Sequence, residues 1–138
     1  MDYEDCTEKM LIRKNPDARG WSGKEIALAE KFSGQAQKIY AAGAFEMAEV
    51  AAYTSIFHSG RALLFSKGHT EKSHYCLFLA LGRLYSDDKT LSGEIREASR
   101  LRESRHEARY GGKGVTAQEA EYSIQFAKRF LESVKARV

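Results

Sequence analysis

Proline is almost missing from this chain. It occurs once, at Pro16, so nothing beyond that point forces a helix to break. Cysteine occurs twice, at Cys6 and Cys76, with no Cys-x-x-Cys and no adjacent histidine. That pattern implies neither zinc nor a disulfide, and the two read as small buried hydrophobes. No apolar run is long enough to span a bilayer, and an N-terminus carrying Asp2, Glu4 and Asp5 is not a signal peptide, so the expected location is the cytoplasm and no membrane contact is expected. Neither sign of charge dominates: 22 basic and 19 acidic residues give a net charge of +3. Only local clustering can then point to an anionic partner. Period-two alternation, hairpin dipeptides and fixed-period repeats are also lacking, which argues against strands and against a repeat array.

Catalytic motifs are absent as well. There is no glycine-rich phosphate loop after a strand, no HExxH, no EF-hand loop and no Gly-x-Ser-x-Gly. The four histidines, His58, His69, His74 and His106, lack paired metal spacing on one helix. No metal site and no cofactor is expected.

What the chain does contain is helical periodicity. With 43% apolar and 30% charged residues over 138 positions, it is one globular domain able to bury its own core. The stretch from Phe45 to Gly68 is the organising one. Phe45, Ala48, Ala52, Ile56, Ser59 and Leu63 recur at the spacing of one helical face, and Met47, Val50 or Ala51, Thr54, Phe57 and Leu64 cover a neighbouring face. A helix apolar over so much of its circumference must be covered on several sides, by its own chain or by a self-complementary partner.

Around it, residues 1–20 read as an arm or short helix ended near Pro16, with Tyr3, Cys6, Met10 and Leu11 on one side. The bundle occupies 21–138. Ser22 to Glu25 has the form of a capping box, with Trp21 and Ile26 as its staple. The helix that follows carries Ile26, Ala29, Phe32, Ala36, Ile39 and Ala42 and turns at Gly43 into the central helix. Gly68 ends that helix, and Thr70 is placed to cap the next, whose inner face holds Tyr75, Phe78, Leu79, Leu81 and Leu84. Leu91, Ile95, Ala98 and Leu101 mark a fourth helix, broken at Gly111, Gly112 and Gly114. Thr116 to Glu119 is a second capping box, and its helix carries Ala120, Ile124, Ala127, Phe130, Leu131 and Val134. The expected helices are 22–42, 45–67, 71–85, 91–110 and 116–136. The fold class is all-α, an up-and-down bundle of four to five helices with a short N-terminal helix.

Charge clusters in one place. Arg96, Arg100, Arg102, Arg105, Arg109 and Lys113 are interleaved with Glu97, Glu103 and Glu107, with His106 among them. Carboxylates three or four residues away make this a salt-bridged, solvated helix face in one reading. In the other, the guanidinium forks of Arg102, Arg105 and Arg109 beside a glycine-rich turn suit phosphate.

The central helix with AYTSIFHSGRALLFSKG, followed by Lys72, Ser73 and His74, resembles small prokaryotic HEPN-domain proteins. Their equivalent helix reads Ala-Tyr-Tyr-Ala-x-Phe-His-x-x-Arg-Ala-Leu-Leu, then Lys-x-His after a glycine turn. Arg105 to Tyr110 is similar to their Arg-x-x-Ala-Asp-Tyr signature, and the likeness runs from about Trp21 to Val134. The resemblance implies a homodimeric helical bundle linked to nucleotide or RNA chemistry. Such proteins are often paired with minimal nucleotidyltransferases in toxin–antitoxin-like systems, and active members are metal-independent ribonucleases with a histidine four to six residues after an arginine.

This chain departs from that pattern. Five residues after Arg105 stands Tyr110, a poor proton shuttle near neutrality, and no histidine follows. Arg100 and His106 satisfy the literal spacing one turn early. The leading expectation is a homodimer that binds RNA, a nucleotide or a nucleotidyltransferase partner with weak or no catalysis. The alternatives are a metal-independent endoribonuclease and a purely structural interaction bundle. Whether the chain is an enzyme stays open on the sequence. Candidate catalytic residues are Arg105, Tyr110, His106 and Arg100. Candidate ligand-binding residues are Arg105, Arg109 and Tyr110, with His58 and Lys72 added by the family likeness.

Overall fold

The computed structural model describes the backbone of residues 1–110, 112 and 114–138, and the side chains of these except 106–110. The elements run α1 (Tyr3–Glu8), β1 (Ile12–Lys14), a 3-10 turn (Pro16–Trp21), α2 (Ser22–Ala41), α3 (Phe45–Ser66), β2 (His69–Glu71), α4 (His74–Leu84), α5 (Lys89–Tyr110) and α6 (Ala117–Lys135). The five long helices lie within two or three residues of the positions expected from periodicity.

α3 is the axis because its inner face is built of small residues. Ala48, Ala52, Ser55 and Ser59 are fully buried beside Ile56 and Leu63, so α2 and α6 pack close to its backbone. Ser55 donates to the Ala29 carbonyl at 2.7 Å, which satisfies its hydroxyl inside the α2–α3 contact. Gly43, at φ 82°, makes the tight turn between these two helices. On the opposite side Gly60 admits α4: a Cβ there would stand 3.3 Å from Leu81 Cδ1. Leu91, Ile95, Ala98 and Leu101 of α5, and Ala120, Ile124, Ala127, Phe130, Leu131 and Val134 of α6, are all buried as their spacing implies. The Thr116–Glu119 capping box is present in full.

Several local expectations are corrected. The Ser22 to Glu25 capping box does not form. The 3-10 turn runs directly into α2, so Trp21 stands at the N-cap without a side-chain bond. Ser22 instead donates to the Ala62 carbonyl at 3.2 Å, and Glu25 reaches α3. Trp21 packs edge-on to Phe65, ring centroids 5.8 Å apart, so it staples α3 rather than its own helix. Thr70 lies in β2, and Ser73 caps α4 by accepting from the Cys76 N–H. The residues 1–20 helix is only α1. Met10 adopts φ 60° and is exposed, and Pro16 begins the 3-10 turn. Tyr75 is exposed rather than in the core.

Two strands appear where none was expected. Ile12–Lys14 pairs antiparallel with His69–Glu71, in register Ile12 with Glu71. Three-residue strands are too short to show alternation, so periodicity cannot reveal them. The cysteines are likewise corrected: Cys6 and Cys76 form a disulfide between α1 and α4, both fully buried. Their separation of 70 residues carries no linear signal for pairing.

The apolar circumference of α3 is covered within one chain, by α2, α4, α5, α6 and the 3-10 turn. Of its large apolar residues only Met47 is exposed. Among the described residues no helix is long and apolar enough to cross a membrane.

Candidate functional site

Three helices converge on one polar spot in this bundle. α3 supplies Tyr53, 3% exposed, whose neighbours one turn away are Glu49, Val50, Ile56 and Phe57. α4 supplies His74 at its first position, directly after the Ser73 cap, so the imidazole projects from the helix start. The Tyr53 hydroxyl and His74 Nδ1 share a hydrogen bond of 2.8 Å. Phe57, one turn along α3, stacks on the imidazole at 4.0 Å. The tyrosine bond and the stacked ring together hold the histidine in one orientation, with Nε2 as its other nitrogen.

α5 brings the charge. The Arg105 guanidinium lies 4.8 Å from the Tyr53 ring centroid, and that of Arg102 lies 5.6 Å from the Tyr75 ring. The Nε atoms of both arginines are buried and make no hydrogen bond. Arg105 forms no ion pair among the described residues, and Arg102 has only a 3.7 Å approach to exposed Glu103. Two other arginines of the bundle, Arg61 and Arg100, are by contrast fully paired. Arg61 meets Glu71 at 2.8 Å and Glu25 at 3.3 Å, and Arg100 takes Glu97 with two 2.8 Å bonds. A partly desolvated cation without a counter-charge is costly, and an incoming anion would relieve that cost. A pair of such guanidinium groups beside an imidazole and a phenol is suited to phosphate, which takes several charge-assisted hydrogen bonds at once.

The electrostatics follow from this crowding. Burial raises the Tyr53 phenol above its ordinary value, so it remains a hydroxyl at neutral pH. His74 is lowered, first by burial and then by the fields of Arg105, Arg102, Arg61 and His58, so its imidazole is neutral at pH 7. A base whose folded pKa is lowered leaves the unfolded chain to take the proton first. Its stabilising contribution is therefore complete above the unfolded value of about 6.5 and falls as the pH drops below it. Urea unfolding at pH 8 and pH 5.5 is expected to show a smaller acid loss in His74→Gln than in the unaltered protein. Equal losses in the two proteins would contradict the assigned shift.

The candidates named from sequence divide into three groups. Arg105 is in this cluster. Arg100 faces α6, against Tyr122 and Glu97; five residues turn a helix by about 500°, which separates it from Arg105 by about 140°. His58 belongs to a second network, bonded to Glu25 at 2.9 Å and stacked on Phe32. Lys72 is exposed two residues before His74, and its backbone N–H donates to the Leu11 carbonyl. The His106, Arg109 and Tyr110 side chains and Lys113 lie outside the described residues. Tyr53 and His74 fall within the family likeness but were not named as site residues, because they meet only in three dimensions. The signal that could have marked Tyr53 is a large polar ring midway along a mostly apolar helix. Among the described residues no group of three His, Cys, Asp or Glu side chains could hold a metal ion.

A helical bundle with an arginine cluster of α5 set beside its central helix is the class that fold and site define. Residues 25–137 match the HEPN domain, most of the chain, and the protein belongs to the HEPN family. No curated protein matches it.

Proposed function

We propose that this HEPN protein binds the phosphate backbone of RNA at Arg102, Arg105, His74 and Tyr53. We place it in the cytoplasm as a homodimer that works with a minimal nucleotidyltransferase in a toxin–antitoxin-like system. The observation that carries the binding reading is the pair of buried, unbonded Nε atoms on Arg102 and Arg105 beside the Tyr53–His74 pair. The family supports the rest, since HEPN proteins are often ribonucleases of toxin–antitoxin systems and commonly pair with nucleotidyltransferases. Binding of a labelled single-stranded RNA at low salt tests the reading. It should weaken as salt rises, since phosphate contacts release counterions. It should also be lost in Arg105→Ala. RNA affinity in Arg105→Ala equal to that of the unaltered protein would end it.

One observation favours a second reading, metal-independent RNA cleavage. A neutral imidazole stands beside Arg102 and Arg105, so His74 can move the proton that Tyr110 moves poorly. RNA cleavage in excess chelator that disappears in His74→Gln supports this reading, and intact RNA opposes it.

A further inference from the structure

The groove between α4 and α5 sorts its charges by element. It is an open cleft of about 1050 Å³, and among its lining residues α4 and α5 contribute Arg83, Lys89 and Arg96 but no carboxylate. The carboxylates that line it, Asp2 and Glu4, come from the N-terminal arm. Glu4 Oε1 sits 2.7 Å from Arg83 Nη2, and the Tyr3 ring lies 4.8 Å from the same guanidinium. The protein's own carboxylate thus stands on a groove cation, where a phosphate oxygen would fit.

This groove is continuous with the arginine cluster. Tyr75 lines it, carries Arg102 over its ring, and donates its hydroxyl to the Met1 carbonyl at 2.9 Å. An exposed ring of this kind is a stacking surface for a nucleobase. The arm caps that tyrosine as well as Arg83.

Besides the disulfide, the arm is held by the Tyr75–Met1 bond, by Tyr3 packed against the core and by the Glu4–Arg83 pair. An ion pair more than half exposed at both ends is worth little in water, and a helix of six residues is marginal by itself. Cys6 is bonded to Cys76, two residues after His74 and one after Tyr75. The tether keeps Asp2 and Glu4 at a high effective concentration over the groove, which a free arm would not reach.

We propose that the N-terminal arm is a redox latch on an RNA track. With Cys6 and Cys76 bonded, the arm's carboxylates occupy the α4–α5 groove; with both reduced, the arm lifts and a single strand of RNA runs along Arg83, Lys89 and Arg96 toward Arg102. The inference rests on the reading of Arg102, Arg105 and His74 as a phosphate site, and it assigns that site its regulation. Opening the latch takes two electrons and two protons from a small dithiol, which reaches the fully buried sulfurs when the arm opens transiently. The cystine becomes two thiols, and the reductant leaves as its own cyclic disulfide.

The test uses the full chain, a short fluorescent single-stranded RNA, and affinity measured over a series of salt concentrations in the oxidised and dithiol-reduced forms. Reduction is expected to tighten binding about tenfold and to steepen the slope of log affinity against log salt by about 2, for three added phosphate contacts. Cys6→Ser should bind like the reduced form without any reductant. Glu4→Gln, with the disulfide intact, should tighten binding about threefold by freeing Arg83. Equal affinities and slopes in both redox states and in Glu4→Gln, with binding still abolished by Arg105→Ala, overturn the latch and leave the phosphate site standing. RNA binding that is absent in every form overturns the phosphate site itself.

Discussion

Reducing Cys6–Cys76 is expected to lower the unfolding free energy by about 4 kcal/mol, from the entropy of a closed loop of 70 residues. For a chain of this size that shifts the urea midpoint by about 2 M. The size of the effect comes from the unfolded state. The bond ties the first turn of the chain to α4 across β1, α2 and α3, so the reduced unfolded chain regains the freedom of that whole loop. The folded bundle keeps its core, because Ile56, Leu63, Phe126 and Phe130 are buried far from the arm in sequence. Urea unfolding with and without a dithiol measures the difference. Coincident curves would show that the two sulfurs are not bonded in solution. In the cytoplasm that the functional proposal assigns, such a bond is typically a transient or sensing one, which fits a latch better than a permanent staple.

Glu25→Ala should be the most damaging substitution of a charged residue on α2, at about 2–3 kcal/mol. Glu25 is 5% exposed and takes His58 Nδ1 at 2.9 Å and Arg61 at 3.3 Å. Removing one partner of a buried network leaves the His58 N–H and the Arg61 guanidinium without their acceptor, and breaking such a buried pair commonly costs about 3–5 kcal/mol. Arg61 retains Glu71 at 2.8 Å and is partly solvated, so the lower figure applies. Magnitude separates this role from a capping-box glutamate, whose loss would cost about 1 kcal/mol or less. Denaturant unfolding of Glu25→Ala decides between them, and a cost below about 1 kcal/mol would restore the capping role.

Residues bonded to sequence neighbours were legible in the sequence; those bonded across helices were not. Helix faces were readable because burial repeats every three or four residues along one element, as at Leu91, Ile95, Ala98 and Leu101. The Thr116–Glu119 cap was readable because both partners lie within one turn. Ser22 to Glu25 has the same local form. It fails as a cap because Ala62, His58 and Arg61 of α3 draw both side chains away from their own helix. Tertiary partners outcompete a local motif whenever the helix start is buried. The same limit applied to the site. Arg105 stood out within a run of arginines, and the structure separates it from Arg100 by what each faces. Tyr53 and His74 are 21 residues apart on different helices, and no spacing rule joins them. The disulfide and the acidic arm over the groove are long-range pairings of the same kind.

The phosphate site is tested most directly by comparing Arg105→Ala with Arg100→Ala in RNA binding at one low salt concentration. Both remove a single arginine from α5, five residues apart on different faces, so net charge and helix propensity change alike. Arg105 has no ion pair among the described residues and lies over Tyr53, whereas Arg100 is satisfied by Glu97. Losing a charge-assisted contact of about 1.5–3 kcal/mol should weaken Arg105→Ala by about 10- to 100-fold. Arg100→Ala should stay within about twofold of the unaltered protein, as expected for an exposed intrahelical pair. Equal losses in the two variants would mean that RNA senses only overall charge and that the Arg102–Arg105–His74 cluster is not its site.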